Sequence, residues 1–246
     1  IVWKWPQVPP PGFTPLACSV LSGLHDAGLA GVMVDGPGAA AAIRRTLPAL
    51  EVIGGPGLNI FNHLAIRACR DLFSGVTLSP ELSSRDSAEL LQRAAGSCPG
   101  MKTGMLVQGN LEAMVTADNL LDLVPGGGRR GSRRFGLLDA TGRVFPVRGD
   151  CSGKSHIANA SELCLLDYLP DIAASGVDFL IIDARNRGPA YAGQMTAVYR
   201  EALDGTAWIT GRPGAPDPVQ GLKERIREMA RGGITAGHFV RGLAEE

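Results

Sequence analysis

Short apolar runs ending at Gly, Asp or Ser alternate along most of this chain with longer Ala- or Leu-rich stretches of helical period. A run such as Gly31-Val32-Met33-Val34-Asp35 has no polar alternation, so both of its faces must be buried. Strands of that kind lie in parallel sheets, and parallel strands need a crossover helix between them. The alternation therefore predicts an α/β fold built from βα units.

The units can be counted. Gly31 to Asp35 precedes an Ala-rich helix from Pro37 to Thr46, and Glu51-Val52-Ile53 precedes a helix from Phe61 to Phe73. Gly75 to Ser79 precedes a helix from about Ser84 to Ala95, with Ser83 or Ser84 as its cap. Met101 to Gln108 forms a fourth strand. Phe135 to Asp139 and Arg143 to Val147 flank Ala140-Thr141-Gly142 and read as a hairpin, carried as an insertion over about 134–150. The rhythm then resumes with a helix over Ser161–Ser175, a strand over Val177–Asp183, and helices over Tyr191–Leu203 and Lys223–Arg231. Six or seven strands fall short of the eight that close a β/α barrel. The expectation is one domain over residues 1–246, barrel-like and truncated at its amino end; an open α/β sheet stays as the alternative.

Composition removes several function classes. Lys plus Arg and Asp plus Glu are both 24, so no net field draws the whole molecule to nucleic acid. RNA contact is expected only locally, through Arg129, Arg130, Arg133 and Arg134 in a glycine-rich loop. No apolar run approaches the roughly 20 residues that span a bilayer. Five cysteines without a CxxC pair argue against a disulfide framework and a zinc knuckle, and fit a reducing, cytoplasmic setting. The amino end, Ile1 to Pro6, reads as an internal cut in a longer chain.

In β/α folds the working face lies at the carboxyl ends of the strands. That places Asp35, Asn59, Asn62, Glu81, Gln108, Asn110, Glu112, Asp183 and Arg185 among the candidates. Each alone also reads as a cap or a loop-fixing hydrogen bond. Glu81 and Glu112 are the pair suited to acid–base work if they meet, and either would titrate uneventfully beside Arg85 or Arg185. The histidines at 25, 63, 156 and 238 form no HExxH, and no serine sits in a GxSxG elbow. Cys151 with His156 is a conceivable nucleophile and base, against the plainer reading of a loop cysteine. The glycines at 54, 55 and 57 and at 126–128 lack the Lys-Ser/Thr of a phosphate loop.

Several strings together resemble peptidase family U32. Thr77-Leu78-Ser79-Pro80-Glu81-Leu82 resembles its "LSREL" strand end, and Val107-Gln108-Gly109-Asn110-Leu111-Glu112 with Met114-Val115 resembles its "VHGxL…MV". Phe135 to Val147 resembles its hairpin, Asn159 to Cys164 its "NSxDL", and Gly176 to Arg187 with Tyr191 and Tyr199 to Asp204 its "GVDxxxIxxRxR…Y…YRxALD". Gly237 to Gly242 resembles "GHFxRG". The resemblance implies a β/α barrel and a collagenase-like peptidase, or an oxygen-independent hydroxylation factor for tRNA, ribosomal RNA or ubiquinone precursors. The latter hold an iron–sulfur cluster through four cysteines. Here Gln108 replaces the "VHG" histidine, Pro80 replaces the "LSREL" arginine, and only Cys151 and Cys164 lie in ligand neighbourhoods. Two thiolates do not hold a cubane, so no cofactor and no metal is expected. The expected catalytic residues are Glu81, Glu112 and Asp183, and the expected residues for a small-molecule or peptide ligand are Gln108, Asn110, Asn159, Arg185, Arg187 and His238.

Overall fold

The computed structural model describes residues 1–124, 135–185, 187–204 and 218–242. The arginine-rich segment considered for RNA lies outside the described residues. In chain order the elements are β1 (Val2–Lys4), α1 (Phe13–Asp26), β2 (Gly31–Val34), α2 (Pro37–Thr46), β3 (Glu51–Gly54), α3 (His63–Cys69), β4 (Gly75–Thr77), α4 (Ser84–Ser97), β5 (Lys102–Gly109) and β6 (Glu112–Thr116). There follow β7 (Phe135–Leu138), β8 (Val144–Gly149), β9 (Ser155–Ala158), β10 (Glu162–Cys164), α5 (Leu169–Ala174), β11 (Phe179–Asp183), α6 (Pro189–Leu203), α7 (Pro218–Met229), β12 (Ile234–Thr235) and α8 (His238–Arg241). They fall into two compact units: Ile1–Leu106 with Pro170–Ile181 and the segment from Gly237, and Val107–Leu169 with Ile182–Ala236.

The first unit is the α/β arrangement that the alternation predicts. Strands β1 to β5 pair in sequence order and all in parallel, with Trp3 opposite Val32, Val32 opposite Val52, Gly54 opposite Val76 and Thr77 opposite Gly104. Val32, Val52 and Val76 have no exposed surface, and each such side chain contributes about 1.5–3 kcal/mol by leaving water. Pro37 opens α2, where its missing N–H costs nothing. Ser83 caps α4 by accepting from the Asp86 N–H at 3.1 Å. The first βα pair, β1 with α1, is not among the units counted from sequence. A tilted cluster of Trp3, Trp5 and Phe13, with ring centroids 5.1–6.2 Å apart, joins β1 to α1.

The second unit holds the hairpin, but as part of a larger sheet. β6, β9, β8 and β7 lie side by side in that order, each pair antiparallel. Both β-turns in this sheet have one chemistry. Asp139 accepts from the N–H groups of Thr141 and Arg143 before Gly142, and Asp150 accepts from those of Ser152 and Lys154 before Gly153. Each glycine has φ of 82°, a conformation that costs other residues energy.

The segment expected as a helix over Ser161–Ser175 begins instead as β10. Leu163 and Cys164 pair antiparallel with Gly109 and Gln108, and Glu162 pairs in parallel with Ile234. A short apolar run reads equally as a buried strand or a helical turn, and here its neighbours decide. The helix is confined to α5. Gly109 closes β5 with φ of 129°, and a Cβ there would fall 2.4 Å from the Asp183 carbonyl oxygen. Only glycine lets the ends of β5 and β11 approach so closely.

Candidate functional site

The second unit brings together most of the polar residues singled out above, in two groups of different character. The first is buried. Glu162, with no exposed surface, accepts from the Tyr191 hydroxyl at 2.7 Å, Gln108 Nε2 at 3.2 Å and the Arg231 N–H at 2.8 Å, and pairs with Arg187. The Arg187 guanidinium lies 4.0 Å from the centroid of the Tyr191 ring, donates to Asn110 Oδ1 at 3.2 Å and also donates to the Met229 carbonyl. Asn110 in turn donates to the Asn159 carbonyl at 3.3 Å. Tyr199 donates to the Val107 carbonyl at 2.8 Å, with Gln108 Oε1 at 3.1 Å.

Both oxygens of Glu162 are thus occupied by protein donors. Burial pushes the Tyr191 and Tyr199 hydroxyls and the Cys164 thiol upward, so they stay neutral. Gln108, Asn110, Asn159 and Arg187, expected to bind ligand, sit in this network, which ties the end of β5 to β10 and to the segments at 187–191 and 229–231. The glutamine in place of the family histidine is therefore a core residue, hydrogen-bonded on both ends of its amide.

The second group is partly open and lies on the antiparallel sheet. Glu112 heads β6, Arg148 and Asp150 lie at the end of β8, and His156 lies on β9 directly opposite Arg148. Glu112 Oε2 sits 2.8 Å from His156 Nδ1, 3.4 Å from Arg148 and 3.9 Å from Arg185. His156 Nε2 is 3.1 Å from Asp150 Oδ2. A neutral imidazole donates to one of these carboxylates, and the protonated ring donates to both. Burial raises the Asp150 carboxyl. It is outweighed by the donors His156, Ser152 Oγ and the N–H groups of Lys154 and Ser152, which hold it well below the usual carboxylate range.

Arg185 forks onto Asp183 through Nε and NH2, at 2.6–3.0 Å, and its side chain remains 42 % exposed. Glu112 is 11 % exposed, and its second oxygen, Oε1, is buried with no hydrogen-bond partner among the described residues. Leaving such an acceptor unsatisfied costs about 1–3 kcal/mol.

Of the expected catalytic residues, Glu112 and Asp183 therefore share a cluster, linked through Arg185. Glu81 belongs to the first unit, exposed beyond β4, where its N–H donates to Ser79 Oγ at 3.3 Å. His238 also belongs to the first unit, its Nδ1 3.1 Å from the Gly242 carbonyl oxygen. Both ring nitrogens of His156 face carboxylates, which leaves neither for the exposed Cys151 thiol. Arg148 and Asp150 are not among the expected site residues, and His156 is considered only as a base for Cys151. The signal was present: Asp139-Ala140-Thr141-Gly142-Arg143 and Asp150-Cys151-Ser152-Gly153-Lys154 repeat one turn pattern. Reading the second as a hairpin places His156 beside Arg148.

The iron–sulfur cluster that the resemblance implies needs four thiolates together, and the described residues show no such group. Among the described residues no three His, Cys, Asp or Glu side chains gather in a metal-holding group. Cys151 is exposed, Cys164 is buried, and the other three cysteines are in the first unit. No helix of the described residues is long and apolar enough to cross a membrane.

Parallel strands joined by helices, together with a charged cluster on an added antiparallel sheet, define a mixed α/β protein of the kind the sequence strings suggest. The chain belongs to peptidase family U32, whose pattern matches residues 14–246. It is also 33 % identical over 60 residues to the tRNA hydroxylation protein P2 of Bacillus subtilis (strain 168), a stretch covering 24 % of this chain and 19 % of that protein. No solved structure matches the chain.

Proposed function

We propose that this U32 chain binds a peptide-like ligand at the cluster around His156 and hydrolyses it. The observation that carries the reading is Glu112 Oε1, a buried acceptor with no donor among the described residues, on a carboxylate beside two arginines. A ligand carboxylate or carbonyl suits Arg185 and Arg148, and a ligand N–H or an attacking water suits Glu112. In the hydrolytic step water oxygen bonds to the amide carbon as its proton passes to Glu112; Glu112 then returns that proton to the amide nitrogen as the C–N bond breaks, leaving an amine and a carboxylic acid that ionises. Arg185 offsets the negative charge on the carbonyl oxygen. The β/α barrel of the family is part of this reading.

The test is calorimetric titration of the whole chain with tripeptides bearing free carboxyl termini, with mass spectrometry for cleavage products. Glu112→Gln and Arg185→Ala each remove a charge-assisted hydrogen bond of about 1.5–3 kcal/mol, so each weakens binding about tenfold or more while the fold persists. Unchanged affinity in both variants, or no binding by the native chain, refutes the site.

A second reading, an RNA-hydroxylation factor, draws on the similarity to the tRNA hydroxylation protein. Iron and sulfide content after anaerobic purification decides it. Near-stoichiometric cluster would favour this reading despite the cysteine arrangement, and none would dismiss the cluster-dependent form.

A further inference from the structure

The first unit holds a half-open cavity of about 480 Å³ whose walls include Glu51, Ile53, Lys102, Asp178 and Phe179. That volume falls within the ordinary range of small-molecule sites. It lies at the amino ends of β3, β4 and β5 and at the start of β11, the opposite strand ends from those where β/α folds place their chemistry. Gly75 on β4 lines it and contributes no side chain.

Its chemistry is one-sided. Ile53 and Phe179 supply an apolar wall, and the charged groups are two carboxylates against one ammonium. Asp178 uses Oδ2 for the Thr103 N–H at 2.7 Å and the Thr103 hydroxyl at 3.2 Å, which fixes the carboxylate in place. Its Oδ1 takes no hydrogen bond from the described residues. Glu51 meets Lys102 at 3.5 Å, with the two side chains 47 % and 61 % exposed. Such a pair is weak and separates readily.

We propose that this cavity binds a small organic ammonium ion with an apolar body. The charged nitrogen donates to Asp178 Oδ1 and Glu51, and the body packs on Ile53 and Phe179, whose ring face also attracts a cation. An anion meets a single lysine already paired with Glu51 and is repelled by Asp178.

Benzylammonium is the probe, with benzoate as the control of opposite charge, followed by NMR of the whole chain with resonances of Ile53 and Phe179 assigned. Benzylammonium is expected to saturate in the millimolar range and to shift those two residues, with binding weakened by salt. Glu51→Gln should weaken it about threefold to tenfold, and Lys102→Met should tighten it by a similar factor. Both side chains are exposed, so neither substitution threatens the fold. Ile53→Trp fills the cavity and should abolish binding. Equal binding of benzoate, weaker binding in Lys102→Met, shifts centred on His156, or no saturation by tens of millimolar would each overturn the proposal.

Discussion

Replacing Glu162 by alanine should cost the second unit much of its stability. The carboxylate is fully buried, and its removal takes away the counter-charge of the Arg187 guanidinium, whose side chain is only 6 % exposed. It also deprives the Tyr191 hydroxyl, Gln108 Nε2 and the Arg231 N–H of an acceptor. Breaking one side of a buried ion pair costs about 3–5 kcal/mol, and for a chain of this length each kcal/mol lowers Tm by about 2–4 °C, so the fall should be about 6–20 °C. Glu162→Gln keeps one acceptor and the shape, so it should lose less. The double variant Glu162→Gln with Arg187→Met removes both charges and should recover part of the loss, because the buried cation left without its counter-charge, rather than the missing attraction, sets most of the penalty. Urea unfolding followed by far-ultraviolet circular dichroism measures all three. A loss below about 1 kcal/mol in Glu162→Ala would refute the assignment of this network to the core.

Three further outcomes follow from the same structure. The depressed Asp150 carboxyl contributes stability that is fully present above the ordinary aspartate range, near pH 4, and is lost as pH falls through its lower folded value; Asp150→Asn should therefore flatten the acid limb of a stability–pH curve, and an unchanged limb would contradict the hydrogen-bond pattern. Gly109→Ala forces a Cβ to within 2.4 Å of the Asp183 carbonyl oxygen at a φ of 129° and should cost at least about 1–3 kcal/mol by thermal unfolding; a neutral substitution would mean that β5 ends differently. Cys151 should react with a chromogenic disulfide in the native chain while the buried, upward-shifted Cys164 reacts only on unfolding, read by mass spectrometry of the labelled peptides.

The parallel strands were legible because an unbroken Val/Ile run bounded by Gly has few other destinations. Val32, Val52 and Val76 lie where that pattern puts them. β1 is not legible in the sequence because Trp3-Lys4-Trp5 is short and borders prolines; its parallel pairing with β2 and the packing of Trp3 and Trp5 on Phe13 define it. Glu162 falls in the segment expected as a helix over Ser161–Ser175, yet it is a fully buried strand residue. The groups that make this tolerable, Gln108, Arg187, Tyr191 and the Arg231 N–H, are scattered over more than 120 residues and no local pattern announces them. The sites divide in the same way. Glu112, Asp183 and Arg185 could be nominated as polar groups after strands, whereas Arg148 and His156 become neighbours only through the register of β8 with β9.

The most direct trial of the binding cluster is nitrogen NMR of the chain labelled in histidine. A proton-bearing His156 ring nitrogen should show the shift of an N–H donating to a carboxylate, and the His156 signals should move on saturation with a tripeptide and stop responding in Arg185→Ala. A His156 ring with solvent-like shifts that ignores every peptide offered would contradict the reading of this cluster as the place where the chain meets its ligand.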